Sequence, residues 1–294
     1  MILNRKFCCL FGALLAVVLF VDSTQAQLFK FRKKKDPIPV VFNRMPTKAE
    51  VLQVIAANNS KFKQLSSDIV VSLDGTPKLR GTMQLELPRR LRIKAGVMGV
   101  SQFGVDVGSN DQDFWVWTKV NLPNQKPAIF HASHEGFGNA NSAVRQAIPL
   151  EPVWLLEGLG LIQFEATDFH QLDPNLTAEG HIRLVTTRQT SNGQIYRTTL
   201  LHAQQGIILQ QALYNSRGER IAYTNSEEYK SYPKQGIVLP QKIVMHLSSN
   251  GQESKMVIET SDYSFDSLYG DPRQMWALPQ PDGVPSIDLT RLGQ

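Results

Sequence analysis

Residues 78–117 read KLRGTMQLELPRRLRIKAGVMGVSQFGVDVGSNDQDFWVW, and the alternation within this stretch decides the fold. Apolar and polar residues alternate over 79–87, which is the period of a strand with one buried face. Pro88 interrupts the alternation, which resumes over 91–93 and again over 103–107. The stretch therefore predicts three or four consecutive antiparallel strands.

The end of this stretch has a different pattern. Residues 114–117 read FWVW, four large apolar residues in a row, so neither face of this strand is polar. Successive side chains of a strand point to opposite faces. We therefore expect apolar groups to cover both sides of the sheet here.

The N-terminal 26 residues have the pattern of a secretory signal peptide. Arg5 and Lys6 precede an apolar run at 7–21, and Thr24-Gln25-Ala26 places small residues before a cut ahead of Gln27. The mature protein is expected to be periplasmic or secreted, with an N-terminal membrane anchor as the alternative. The two cysteines lie inside the signal, so the mature chain is expected to have no disulfide.

The chain has 294 residues, of which 42% are hydrophobic and 19% charged, so it can bury a full core. Its positive charge is concentrated just after the signal. A membrane-surface contact through this cluster is one interpretation, since anionic lipids attract such segments. The alternative is a solvated leader, and no further basic stripe indicates a nucleic-acid partner. The basic residues of the cluster are Lys30, Arg32, Lys33, Lys34 and Lys35.

The pattern divides the chain into four segments. We expect a signal peptide at 1–26, a basic, proline-containing leader at 27–46, a single half-barrel domain at 47–283 and a C-terminal tail at 284–294. Thr47 and Glu50 form a capping box at the start of a helix that extends to about Asn59. Strands at 66–73 and 79–87 form a hairpin around Asp74-Gly75. The second half adds six strands, at 181–188, 194–202, 207–214, 220–229, 241–248 and 255–261.

Between the two strand-rich halves, residues 139–148 and 152–161 read as two short helices. The second is more apolar than a surface helix, so it either plugs the concave side of the sheet permanently or acts as a movable lid. A long meander leaves two exposed edges unless it curls towards closure. We therefore predict a mainly β (α+β) fold, a curved antiparallel sheet forming an unclosed half-barrel with a few helices as lid or plug.

The sequence carries no strong catalytic or metal-binding motif. Ser101 lies in GVSQFG, which has one residue too many for a nucleophile elbow, and the order HASHE at 131–135 is not the zinc-binding H-E-x-x-H motif. Asp111 and Asp113 read as part of a turn. We therefore expect no enzyme activity, no metal and no cofactor. An envelope hydrolase using Ser101 or His131 remains the third hypothesis.

The order of the elements resembles the LolA/LolB-type lipoprotein carrier superfamily, the outer-membrane lipoprotein-sorting type. The resemblance rests on the helix, the hairpin, PRRLR at 88–92, the aromatic strand with Trp115 and Trp117, the helical interruption, and the segments YSF at 263–265 and MWALPQPDG at 275–283. It covers most of residues 47–283. It implies an unclosed β-barrel, covered by helices, that encloses an apolar cavity for the acyl chains of a lipoprotein.

The expected ligand is therefore a lipid or an acylated lipoprotein, bound by a protein that is expected to be a monomer. The resemblance also implies that an arginine at the strand entrance, Arg89 or Arg90, holds the lid closed. The alternative is that Arg90 and Arg92 project from the solvent face, and the alternative for the apolar residues is an ordinary core. An envelope sensor or protein-interaction domain with the same fold is the second hypothesis for function. The expected cavity residues are Met83, Leu85, Leu87, Leu91, Ile93, Phe103, Phe114, Trp115, Trp117, Trp154 and Leu155.

Overall fold

The fold is seen in a computed structural model in which strands account for about half of the described residues. The described elements of regular structure extend from the helix that follows Thr47 to a short 3-10 helix near the C-terminus. The predicted signal peptide, the basic cluster and the first predicted central helix lie outside the described residues. The structure describes residues 36–74, 77–97, 100–118, 127–138, 151–152, 154–190, 193–249 and 252–291.

Fifteen strands form one continuous sheet. The predicted stretch 78–117 contributes three complete strands and most of a fourth, and the predicted six strands of the second half are all present. Their bounds are β1 Gln64–Leu73, β2 Leu79–Glu86, β3 Arg90–Val97, β4 Val100–Ser109, β5 Asp113–Thr118, β6 Ala128–Ser133, β7 Phe169–Leu172, β8 His181–Thr190, β9 Gly193–His202, β10 Ile208–Tyr214, β11 Arg220–Tyr232, β12 Ile237–Ser249, β13 Gln252–Thr260, β14 Ser264–Phe265 and β15 Ser286–Asp288.

The strands lie in the order β15-β6-β5-β4-β3-β2-β1-β13-β12-β11-β10-β9-β8-β7, and β14 pairs with β1 beside this path. Two meanders are thus joined by one long-range antiparallel pair, in which Ile69 of β1 lies opposite Thr260 of β13. All pairs are antiparallel except β15 with β6. Within the described residues the two end strands, β7 and β15, do not pair with each other, so the predicted mainly β, unclosed curved sheet is confirmed.

In the part of the chain that the structure describes, four short helices accompany the sheet, α1 Lys48–Asn58, α2 His134–Gly138, α3 Trp154–Gly158 and α4 Pro272–Met275. The predicted capping box of α1 is confirmed, because the Thr47 hydroxyl accepts from the Glu50 backbone N–H while the Glu50 carboxylate accepts from the Thr47 N–H at 2.7 Å. Val51 and Ile55 form the buried side of α1 and pack on β8, β9 and β10.

The sheet has an inner face, defined as the face that carries Leu65, Met83, Leu85 and Ile93. These side chains are buried in the largest apolar cluster, together with residues of α3 and of β12. The opposite, outer face is covered by residues 269–277 where Arg92 and Trp115 lie. The inner face is covered by separate pieces of chain rather than by a second sheet.

Two segment boundaries differ from the sequence-based expectation. The leader drawn at 27–46 ends in packed structure, because Phe42 is buried beside α1 and its N–H donates to the carbonyl of Gln204. The tail drawn from 284 contains β15, and Leu289 after it is fully buried beside Phe114. Several apolar residues dock each segment, since Met45 also packs beside α1 and Ile287 packs against the cluster that contains Leu289.

Candidate ligand-binding interior

The centre of the inner face is filled by residues 154–161, which we call the plug. The plug consists of the five-residue helix α3 and the turn that follows it, where Gly160 has a φ of 85°. This left-handed backbone is strained for other residues, so glycine fits the position. The large apolar side chains of the plug are buried in the main cluster, namely Trp154, Leu155, Leu156, Leu159 and Leu161.

Three polar side chains of the sheet hold the plug. The Ser226 hydroxyl on β11 donates to the carbonyl of Gly158 at 2.7 Å. The Gln211 amide on β10 donates to the carbonyl of Glu157. Arg197 on β9 donates from Nη2 to Glu157 Oε1 at 2.6 Å. Two of these bonds satisfy carbonyls at the end of a short helix, which have no partner within it.

Glu157 is a buried carboxyl in this arrangement. Burial raises the pKa of Glu157 above its usual range, although the nearby Arg197 guanidinium acts in the opposite direction. Burial disfavours the charged form of a carboxyl, whereas an opposite charge favours it. The direction of the shift means that the two nearby arginines, Arg197 and Arg188, do not fully compensate for the loss of water.

Arg197 belongs to a polar band on the inner face. Thr199 of β9 lies opposite Gln211 of β10, which in turn lies opposite Thr224 of β11. All four side chains are buried. In the described structure Arg197 Nε and Nη1, Thr199 Oγ1, Gln211 Oε1 and Thr224 Oγ1 have no hydrogen-bond partner. We call these four residues the inner polar band.

Most of the expected cavity residues do share one environment. Met83, Leu85, Leu91 and Ile93 lie on adjacent strands of the inner face, where Met83 is opposite Ile93 and Leu85 opposite Leu91. Leu87 is half-buried against the same cluster. Trp154 and Leu155 enter this cluster from the plug. As lining of a cavity they remain a prediction, because the plug occupies the space between them.

The aromatic residues of β5 are divided between the two faces. Phe114 lies on the inner face but in a separate cluster with Phe137 and Leu289. Trp115 lies on the outer face, where its indole N–H donates to Asp106 at 3.2 Å. Trp117 shares that face, because alternate residues of a strand point the same way. The expectation that both tryptophans line the inner side is therefore corrected; the side chain of Phe103 lies outside the described residues.

The predicted lid contacts of Arg89 and Arg90 stay a prediction, because residues 139–150 of the helical interruption lie outside the described residues. Arg90 binds Glu86 at 2.9 Å and also pairs with Asp111. Arg89 is exposed. Neither of these contacts involves the plug, and the arginine that binds the plug is Arg197, far along the chain. The order of strands in the sheet, which the sequence does not give, brings Arg197 to the plug.

Ser109, His134 and Glu151 form an alignment that the sequence analysis missed. His134 Nε2 lies 3.3 Å from Ser109 Oγ, and His134 Nδ1 lies 2.5 Å from Glu151 Oε2. The order resembles a Ser-His-acid triad. However, His134 Nε2 also lies 3.0 Å from the carbonyl of Asn110, so this nitrogen does not face Ser109 Oγ alone. Ser109 is fully buried, so its hydroxyl is no exposed nucleophile.

The same three side chains have a positioning role. Ser109 is on β4, His134 begins α2, and Glu151 precedes the plug by three residues. Their hydrogen bonds therefore tie the start of the plug segment to the first half of the sheet. Ser101 and His131, the residues named for a hydrolase, are not part of this alignment.

Within the described ranges, no helix has both the length and the apolar character that crossing a membrane requires.

Comparison with protein-family models and with curated proteins finds no match for this chain. Among solved structures, a domain of the outer membrane lipoprotein-sorting type from Vibrio parahaemolyticus is similar at 11% identity, covering 77% of this chain and 94% of that one, with a TM-score of 0.49. A LolA superfamily protein from Nitrosomonas europaea is similar at 14% identity, over 77% and 97%, with a TM-score of 0.44.

A DUF1329 family protein from Desulfovibrio piger is similar at 14% identity, over 80% of this chain and 98% of that one, with a TM-score of 0.48. The LolA type that the sequence resembles thus recurs among these structures. Since identities and TM-scores are low throughout, these similarities do not decide a function. The function is inferred from the contacts of this chain.

Proposed function

We propose that this chain is an exported cell-envelope protein that binds the acyl chain of a lipid or of a lipoprotein on the inner face of its sheet. The observation that supports this proposal is the plug. A sheet that only needs a core can be covered by a second sheet or by long helices. Here the centre is covered by a five-residue helix with large apolar side chains, held by three polar side chains.

The plug and an acyl chain contribute similar free energies when they are buried on the inner face. Burying the five large side chains of the plug contributes about 1.5–3 kcal/mol each, or about 8–15 kcal/mol together. An acyl chain of about 14 methylenes contributes about 11 kcal/mol, at about 0.8 kcal/mol per methylene. A lipid that takes the place of the plug therefore compensates for most of the burial free energy that is lost when the plug leaves the inner face.

The length of α3 favours such an exchange. An isolated helix of fewer than about 12 residues is marginal in water, so α3 is helical only because it packs on the sheet. The Gly158 carbonyl and the Glu157 side chain exchange their partners for water when the plug moves. We infer that this segment acts as the movable lid, and that the apolar residues around Met83 and Ile93 contact the bound chain.

The proposed location and partners follow from the sequence. Cleavage after Ala26 would release the protein from the inner membrane, and the basic cluster that includes Lys33 and Lys35 would then hold the leader near anionic lipid. Lipoprotein transport or sorting is the process in which such a binding protein would act. We propose no catalytic step, since the Ser109 hydroxyl is buried.

The decisive experiment locks the plug. The mature chain has no cysteine, so Gly158→Cys with Ile243→Cys introduces the only thiols. A Cβ at position 158 lies 3.2 Å from Ile243 Cγ2, the atom whose place a cysteine sulfur would take, so the two introduced thiols are neighbours. Native mass spectrometry would record uptake of 1-monooleoylglycerol, an uncharged lipid with one acyl chain. We expect uptake by the wild-type chain, none by the oxidised variant, and recovery on reduction.

Each single-cysteine variant serves as the matched control and should take up lipid under both redox conditions. Equal uptake by the oxidised and the reduced double variant would place the lipid elsewhere on the protein. If the wild-type chain takes up no lipid, the interior is a filled core and the carrier function is excluded.

A second candidate function, protein interaction, is favoured by the end strand β7. Phe169 on this strand is 65% exposed and borders a cavity of about 410 Å³ that Met45, Lys48 and Leu172 also line. An end strand presents unpaired backbone groups to a partner. If the protein is such a sensor, Phe169→Ser would abolish binding of the partner protein. The same variant would still take up lipid in the reduced but not in the oxidised form of the plug disulfide.

A further inference from the structure

The inner polar band lies where an apolar core is expected. On the same strands, the next inward-facing positions are Leu201, Leu213 and Ala222, and all are buried. The band instead places a charged group, two hydroxyls and an amide side by side across three strands. A buried hydroxyl or amide atom without a partner destabilises the folded chain. A band of them is therefore an unusual feature for a chain to keep in its core.

The unused hydrogen-bonding capacity is mostly that of donors. Arg197 has five N–H groups, and its described bond to Glu157 uses only Nη2. Nε and Nη1 have no partner, and the hydroxyls of Thr199 and Thr224 are also free to donate. A carboxylate or a phosphate accepts several such bonds at once and forms the strongest of them with guanidinium. The band has the composition of an anion site.

Glu157 already occupies this site in part. Its carboxylate lies 2.6 Å from Arg197 Nη2, and it belongs to the plug, the one piece of chain that leaves the inner face under the proposed function. An anionic group that arrives with an acyl chain would replace one carboxylate by another acceptor. Arg197 would then have a counterion in both states, so the exchange does not expose a buried charge without a partner.

We propose that Arg197, Thr199, Gln211 and Thr224 form the head-group site of the interior, and that its ligand is an acyl lipid with an anionic carboxylate or phosphate group. Glu157 is the internal substitute for that group in the ligand-free protein. This inference rests on the proposed function, because the acyl chain must enter where the plug now lies. It adds the class of lipid that the interior selects.

The test compares three lipids that share one oleoyl chain. They are 1-monooleoylglycerol, which is uncharged, oleate, which carries a carboxylate, and 1-oleoyl-lysophosphatidic acid, which carries a phosphate. Dissociation constants would be measured by native mass spectrometry and by intrinsic tryptophan fluorescence, below the micelle concentration of each lipid. We expect the wild-type chain to bind the better of the two anionic lipids about tenfold or more tightly than the uncharged one. The comparison of oleate with the phosphate lipid identifies which anion fits.

Two variants separate the head-group site from the acyl site. Arg197→Met alone leaves the Glu157 carboxyl buried without its partner, which destabilises the fold, so it is combined with Glu157→Gln to remove both charges together. This double variant should bind the three lipids equally, with the uncharged lipid bound as by the wild type. Glu157→Gln alone removes the internal competitor and should bind the anionic lipids more tightly still. The control is Arg183→Met, which removes a 48%-exposed arginine on the adjacent strand β8.

The outcomes distinguish the two proposals. If the wild-type chain binds the uncharged lipid as tightly as both anionic lipids, the head-group site is refuted while the carrier function stands. The same conclusion follows if the double variant keeps the preference for anions. If no lipid binds to the wild-type chain, both proposals fail. Loss of the preference in Arg183→Met would assign it to general surface charge rather than to the inner polar band.

Discussion

Two buried arginines of this protein form ion pairs that differ in how many of the guanidinium nitrogens have a hydrogen-bond partner. Arg92, on the outer face, is 6% exposed, and Arg197, on the inner face, is 7% exposed. Arg92 holds Asp106 with two bonds, of 3.0 and 2.8 Å, and donates from Nη1 to backbone carbonyls of residues 274, 275 and 277. Arg197 makes one described bond, to Glu157, and two of its nitrogens have no partner.

The difference lies in how completely each ion pair is satisfied. Every nitrogen of Arg92 donates, and Asp106 accepts a further bond from Trp115. A buried ion pair is tolerated when the remaining donors and acceptors are also satisfied. The pair on the outer face meets this condition and clamps the C-terminal segment to the sheet. The pair on the inner face does not meet it in the described structure, and the proposed head-group site rests on this difference.

The largest expected effect comes from Arg92→Met. This change leaves Asp106 buried without its partner and releases three carbonyls of the C-terminal segment, so we expect a loss of about 3–5 kcal/mol in the free energy of unfolding. The measurement is urea denaturation followed by tryptophan fluorescence. Arg90→Met is the control, because Arg90 is partly exposed and its pairs should contribute about 0–1 kcal/mol. Equal losses in the two variants would contradict the clamp.

A smaller effect is expected from the pH dependence of the inner pair. The pKa of Glu157 is raised in the folded chain by burial, so the folded state binds this proton more tightly than the unfolded state. The stabilisation is complete below the unfolded pKa, about 4.3, and is lost as the pH rises through the folded value. The stability of the wild-type chain should therefore fall relative to Glu157→Gln as the pH rises from about 4.

Urea denaturation of both proteins at a series of pH values would measure this difference. A difference that does not change with pH would mean that Glu157 titrates alike in the folded and unfolded chains. In that case the two ion pairs would differ only in geometry and not in how well their charge is compensated.

The smallest effect is expected from Thr224→Val. The Thr224 hydroxyl is buried without a partner, so replacing it by a methyl group should leave the stability unchanged or raise it by up to about 1 kcal/mol. Ser226→Ala on the same strand is the matched change, since the Ser226 hydroxyl donates to the plug at 2.7 Å and its loss should cost about 0.5–1.5 kcal/mol. Thermal denaturation can rank the two variants. A clear loss in Thr224→Val would show that its hydroxyl is satisfied.

Much of the fold could be predicted from the sequence, because alternation is a local signal. The strands around Leu91 and around Arg197 begin and end within a few residues of their predicted bounds, and the capping box at Thr47 is present. Alternation also states which residues share a face. It does not state which face is the inner one where both are apolar, so Trp115 and Phe114 of β5 were assigned to the same side.

The site could be predicted only in part. The apolar plug was visible as an unusually hydrophobic interruption at 152–161, but its partners were not, because Arg197, Gln211 and Ser226 lie on three different strands of the second half. In RTTL at 197–200 an arginine and a threonine occupy inward positions beside apolar neighbours, which is the only local sign of the band. Arg92 was read as a solvent-facing residue, since the segment that covers it comes from residues 274–277.

The pairing of β1 with β13, which joins the two meanders, affects the order in which the chain can fold. Strands β2 to β6 follow β1 directly, so the first half can assemble from neighbours in sequence. β1 keeps one edge unpaired until β13 is available, because Ile69 pairs with Thr260. Contacts between distant segments form late, and an unpaired edge can capture other chains in the meantime. If the chain emerges from a membrane N-terminus first, the free edge of β1 is exposed until β13 has also emerged. A chaperone that covers β1 would therefore protect the edge at which misassembly begins.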